Sequence, residues 1–186
     1  MEPEQLKTFK SYRDHINNIG LSMPIAFESL SKSLHSTKKF RFLLSIIMAT
    51  ELIKIKLRGL IIFDDYINEM RWYLEKNGKY IIKKMNEYSS KSYGQTLAEF
   101  CDRYNLAENN KGLYDTLREL NRKRNDIAHD AVLKHFGDLN KADEEIRPYI
   151  LTQVIDEIQK KLTAMINSRI EIQAEIEKQI RDRGLF

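Results

Sequence analysis

The strongest constraint on the fold is the spacing of apolar residues near the C-terminal end. Leu151, Val154, Ile155, Ile158, Leu162, Met165 and Ile166 recur at three- and four-residue steps, the period that lines one face of an α-helix and cannot line one face of a strand. The same period recurs along most of the chain, interrupted at short intervals by residues that stop or start helices. Seven Gly and three Pro in 186 residues, with 42% apolar and 31% charged residues, suit long amphipathic helices better than strands joined by turns. The chain length fits one domain spanning residues 1–186, with room for a hydrophobic core that needs no staples.

About six helices are predicted. The first covers about residues 4–18 and stops near Gly20, and Pro24 suits the opening turn of a second running to about Ser36. A long third helix, Lys38 to Lys76, is expected to bend near Phe63-Asp64-Asp65 and to end at Asn77-Gly78. Tyr80 to Tyr88 makes a shorter one. Thr96-Leu97-Ala98-Glu99 has capping-box spacing and introduces a short helix, Asn109 or Asn110 caps a helix from Lys111 to Phe136, and Pro148 opens a last helix that Gly184 stops. Short connections between long amphipathic helices predict an antiparallel helix bundle, all-α in class.

The residues 40–63 are the most apolar stretch, but Glu51, Lys54, Lys56 and Arg58 interrupt them, so a buried helix is expected and no membrane association. The start, Met-Glu-Pro-Glu-Gln, shows no basic stretch leading into an apolar block, and a cytoplasmic location is expected. The lone cysteine, Cys101, is read as packing. His15, His35 and His135 lack carboxylate or cysteine neighbours at metal-ligand spacing, so neither a metal nor another cofactor is expected. Tyr and Phe lie at helical intervals and read as core instead of a platform for stacking bases. A net charge of +4 permits a polyanionic partner without requiring one.

The helix from residue 111 carries the chemistry. Leu113, Leu117, Leu120, Ile127 and Ala131 fall in one line, and Arg124 falls in the same line, aimed at a packed interface where a leucine would serve folding better. Such an arginine needs a carboxylate, a phosphate or a second subunit. Glu51, in line with Phe40, Leu44, Ile47 and Ile55 on the long helix, is one carboxylate that could neutralise it. Asn125 and His129 are four apart and share a face, which Arg122 and Arg118 continue; Asp126 sits three before His129. Imidazole, amide and guanidinium groups along a few turns of helix are what handling a phosphodiester requires, because histidine exchanges protons near neutral pH and arginine stabilises developing phosphorane charge. Arg118, Arg122 and Lys123 read either as a solvated face or as contacts to phosphates.

Arg124-Asn125-Asp126-Ile127-Ala128-His129 resembles the signature of the HEPN superfamily (higher eukaryotes and prokaryotes nucleotide-binding domains): an Arg, a polar residue beside it, and a His after four to six intervening positions. The resemblance extends to the setting, a motif late in a small helical bundle, and to little else. It implies a HEPN-like domain working as a homodimer, in which motifs from two subunits form one metal-independent endoribonuclease site. In that site His129 exchanges a proton at the 2′-hydroxyl or the leaving oxygen, Arg124 stabilises the pentavalent phosphate and Asn125 orients them; Asp126 and Glu51 are read as supporting residues from their positions on the helices, not from the resemblance. It also implies RNA as substrate, 2′,3′-cyclic phosphate ends, a role in toxin–antitoxin pairs or phage defence, and an antitoxin protein as partner. Two other readings stay open: a non-catalytic dimerisation or interaction module, and a nucleotide-binding domain.

Overall fold

The computed structural model describes residues 13–14, 17, 24–32, 41–76, 90–128 and 139–184. Every regular element among them is helical. In chain order these are α1 (24–32), α2 (Arg41–Lys76), α3 (Tyr93–Arg103), α4 (Leu106–Asn109), α5 (Lys111–Ala128) and α6 (Leu139–Tyr149), which leads through a widened π-helical stretch (Ile150–Ile158) into α7 (Gln159–Asp182). The helix expected over Tyr80–Tyr88, most of the first one and the stretch from His129 to Phe136 lie outside the described residues.

α2 is the axis of the molecule. Ile53, Leu57, Leu60, Ile61, Ile62 and Phe63 are all buried, so apolar side chains leave it on every side, as a helix enclosed by others requires. It packs on α3, α5, α6, the π stretch and α7. Its charges are why no described helix is apolar enough to cross a membrane. They also fasten its neighbours: Asp65 accepts from Arg103 Nη1 of α3 at 2.6 Å, and Asp64 accepts from Arg169 Nε of α7 at 2.8 Å. Two adjacent aspartates thus hold two different helices, and α2 continues as one helix through 63–65 to Lys76.

The pairs Lys56 with Thr163, Asp64 with Arg169 and Leu74 with Arg183 rise together in number. α2 and α7 therefore run parallel, an arrangement on which the antiparallel expectation for successive helices is silent. Short loops make consecutive helices antiparallel, but several helices separate these two, and connection length says nothing about distant neighbours.

Two helix starts also differ from expectation. The capping box belongs to Ser92 and Gln95: the Gln95 N–H donates to Ser92 Oγ at 3.3 Å, and the Ser92 N–H donates to Gln95 Oε1 at 2.9 Å. Thr96 lies inside α3, where its hydroxyl returns to the Ser92 carbonyl at 3.0 Å, and Glu99 instead faces Lys91 and Arg103. Ser92→Ala should lower stability by about 1 kcal/mol in urea unfolding, the usual effect of losing a cap of this kind; an unchanged midpoint would mean that α3 is set by packing alone.

Pro148 sits in the last turn of α6, not in the first turn of the final helix. Proline cannot donate to the carbonyl four residues back and crowds it. Two residues later the helix widens, and at the far end of the stretch the Gln159 N–H still reaches back five residues to the Val154 carbonyl. The apolar spacing survives, with Ile150, Val154, Ile158 and Leu162 fully buried. α7 ends as expected at Gly184, whose φ of 66° is a left-handed conformation that glycine adopts without strain.

Candidate functional site

α5 begins where predicted. Asn105 takes a left-handed turn with φ 44°, and the short α4 delivers Asn110, whose side-chain oxygen accepts from the Leu113 N–H at 3.1 Å and caps α5. Leu113, Leu117 and Leu120 then form a fully buried line that holds α5 against α2 and α3. Continuing that line by one turn brings Arg124 to the edge of the core, where it is half-buried. Its guanidinium Nη1 donates to Asn125 Oδ1 at 3.0 Å. Arg124 and Asn125 are thus joined directly, whereas His129 lies outside the described residues.

The other predicted residues divide by partner. Asp126 is paired with Arg122 at 3.1 Å along the exposed side of α5, an i,i+4 arrangement that keeps the carboxylate away from Arg124. Arg118 Nη1 donates to the Tyr114 hydroxyl at 2.7 Å on the same exposed side. Lys123 is more enclosed: its Nζ stands 3.6 Å from Glu119 and 4.8 Å from the centre of the Tyr149 ring. Glu51 accepts from Lys54 at 3.1 Å on its own helix, and its side chain is 47% exposed. This places its carboxylate with Lys54, while the amide oxygen of Asn125 serves Arg124.

Two residues that periodicity marked only as core border the same place. Tyr93 opens α3 and Tyr149 closes α6; both hydroxyl oxygens are buried without a hydrogen-bond partner among the described residues. Burial pushes both phenols above their ordinary range. After burial, the neighbouring Tyr149 and Cys101 raise Tyr93 further, and the positive charge of Arg124 acts in the opposite sense. The sequence signal for these two was the choice of Tyr where Phe would have packed equally well. Cys101 is itself buried, and burial followed by the charge of Asp102 raises its thiol, which keeps it protonated and unreactive.

Among the described residues no three His, Cys, Asp or Glu side chains gather in a way that could hold a metal ion. What the end of α5 offers is a guanidinium with no carboxylate partner among the described residues, an adjacent amide, an exposed side carrying Arg118 and Arg122, and a more enclosed Lys123. No protein-family model, no curated protein and no solved structure matches the chain.

Proposed function

We propose that the protein is a HEPN-type, metal-independent endoribonuclease, acting as a homodimer in a toxin–antitoxin or phage-defence setting and restrained by an antitoxin protein. The observation that carries this reading is the Arg124–Asn125 pair, 3.0 Å apart at the end of a helix whose leucine line is buried, with His129 following after four intervening residues. A half-buried arginine bonded to a neutral amide keeps its full charge for an incoming phosphate. RNA brings its own nucleophile, the 2′-hydroxyl beside the scissile phosphate, so a site needs only to orient it and to manage protons and charge.

In this reading His129 takes the proton from the 2′-hydroxyl as its oxygen attacks phosphorus, or returns one to the departing 5′-oxygen. Arg124 stabilises the equatorial oxygens of the pentavalent phosphate. Asn125 orients the reacting groups, and the facing motif of a second copy completes the site. Arg118, Arg122 and Lys123 extend a basic track along α5 for flanking phosphates.

The test is incubation of wild-type and His129→Ala protein with single-stranded RNA and matching DNA in EDTA, followed by identification of the new ends. Expected are cuts in RNA alone, 2′,3′-cyclic phosphate and 5′-hydroxyl products, and no cutting by the variant. A folded wild-type dimer that binds RNA and leaves several sequences intact would replace this reading with a non-catalytic binding module.

A further inference from the structure

Tyr93 and Tyr149 each bury a hydroxyl oxygen that has no partner among the described residues, and Tyr93 is only 2% exposed. Phenylalanine would fill either position with no polar atom to desolvate, and unpaired buried hydroxyls are destabilising. Both tyrosines border the same turn of α5. Lys123 Nζ lies 4.8 Å from the Tyr149 ring centre, α5 packs against α3 and against the π stretch that follows Tyr149, and the Tyr149 phenol and the Arg124 guanidinium are both near enough to the Tyr93 phenol to influence its ionisation. The fork of Arg124 has five N–H donors, of which one goes to Asn125 in this structure.

We propose that Tyr93 and Tyr149 are positioning residues for Arg124: when an RNA phosphate reaches the motif, the guanidinium leaves Asn125 and donates to the phenol oxygens, which hold the rest of its fork toward the phosphate. The inference rests on the ribonuclease reading for its ligand. Arg124 is half-buried at the edge of the core, so the phosphate can meet it there without entering the core. One phenol oxygen accepts from the guanidinium, its own O–H donates to the other phenol, and the motion relieves both unpaired hydroxyls. Neutral phenols suit this work better than a carboxylate, because they orient the guanidinium without cancelling the charge that the phosphate requires. The move also frees the Asn125 amide oxygen for the substrate.

The test follows the Arg124 Nε–H signal by NMR, assigned through Arg124→Lys, as a short 2′-O-methyl oligoribonucleotide that cannot be cut is added. The proteins compared are wild type, Tyr93→Phe, Tyr149→Phe and the double variant. In wild type the signal should shift and sharpen on binding; in the double variant the shift should be smaller and the sharpening absent, because the guanidinium still meets the phosphate but is not held. On cleavable RNA the double variant should lose about tenfold to a hundredfold in kcat/KM, most of it in kcat, because an unheld fork matches the transition state less well. Its Tm without RNA should equal or exceed that of wild type, since the unpaired hydroxyls are gone.

Three results would overturn the proposal: an Arg124 signal in wild type that ignores the oligonucleotide, one that responds equally in the double variant, or a double variant that is less stable while its kcat and Arg124 signal stay as in wild type. The last would give the hydroxyls a purely structural role. The two readings fail separately: absence of RNA cutting by wild type rejects the nuclease, while the Arg124 response to the uncut oligonucleotide still decides whether the tyrosines position it.

Discussion

If the protein is the ribonuclease proposed above, Arg124→Ala should lower RNA cleavage by about 10²–10³-fold, the usual effect of removing one donor from a developing oxyanion, and should shift Tm only slightly. The two halves of this expectation have different causes. In the proposed site catalytic loss follows from the lack of a carboxylate on the guanidinium among the described residues, which leaves its charge for a phosphate; the bond it makes there goes to the amide oxygen of Asn125. The small stability effect follows from the same fact, because no buried charge is left unpaired when Arg124 goes. Arg103 is the contrast within the molecule, since its guanidinium is tied to Asp65, Glu99 and the Ile61 carbonyl, and its role is to fasten α3 to α2.

Arg124→Lys should recover little of the rate, because a compact ammonium cannot span two phosphate oxygens as a planar fork does. Initial rates on equal amounts of folded protein, with Tm measured on the same samples, check both halves. An alanine variant that cuts within threefold of wild type would remove Arg124 from the reacting phosphate. A variant that loses both rate and several degrees of Tm would make it a structural residue instead.

How far the sequence could be read depended on the distance over which each interaction acts. The local features were legible. The buried line Leu113, Leu117 and Leu120 follows from helical period, the Asn110 cap from residue type, the stop at Gly184 from its tolerance of positive φ, and the Arg122–Asp126 pair from i,i+4 spacing. The start of α3 was ambiguous because Ser92-x-x-Gln95 and Thr96-x-x-Glu99 have the same spacing, and only packing selects between them. Thr96 is buried and Ser92 is exposed, so the earlier pair has the free end to cap.

Interactions between distant residues left no trace in the pattern. Asp64 meets Arg169 and Asp65 meets Arg103 across 105 and 38 positions, and no periodicity links them. The aspartates looked instead like an interruption of the third helix. At the site, the adjacency of Arg124 and Asn125 was legible, as was the aim of Arg124 toward the core edge. The tyrosine hydroxyls beside it were not, since periodicity identifies which ring is buried without saying what its oxygen touches. Glu51 shared a line with apolar residues, but its carboxylate bends along the helix to Lys54, which a long side chain on a partly exposed turn does readily.

Replacing Lys56 with methionine should stabilise the protein at neutral pH and flatten its response to alkali. Lys56 is 3% exposed. Its Nζ donates to Thr163 Oγ1 at 2.6 Å and approaches the Gln159 carbonyl at 3.5 Å, and it lies 5.2 Å from the centre of the Phe27 ring. None of these groups is a carboxylate, and burial lowers the amine from its ordinary 10.5 to about 8. The folded value lies below the unfolded one, so between these values the unfolded chain holds more protons and stability rises with pH. Below about 8 both states are charged and the full cost of burying the ammonium, about 3 kcal/mol for such a shift, is present. Above 10.5 both are neutral and the cost is gone.

Methionine removes that cost and also the bond to Thr163, worth about 1 kcal/mol, so Lys56→Met should gain about 2 kcal/mol at pH 7. Thr163 keeps its own bond to the Gln159 carbonyl at 2.8 Å, which limits the loss. Urea unfolding of both proteins from pH 7 to 9.5 is the measurement. That range lies below the pH at which the buried tyrosines, with phenols pushed above their ordinary 10, would begin to weaken the fold as they ionise. The wild-type curve should climb toward that of the variant and close most of the gap by pH 9.5. Two parallel curves would mean that the ammonium already reaches water, and the α2–α7 seam would then owe nothing to a buried charge.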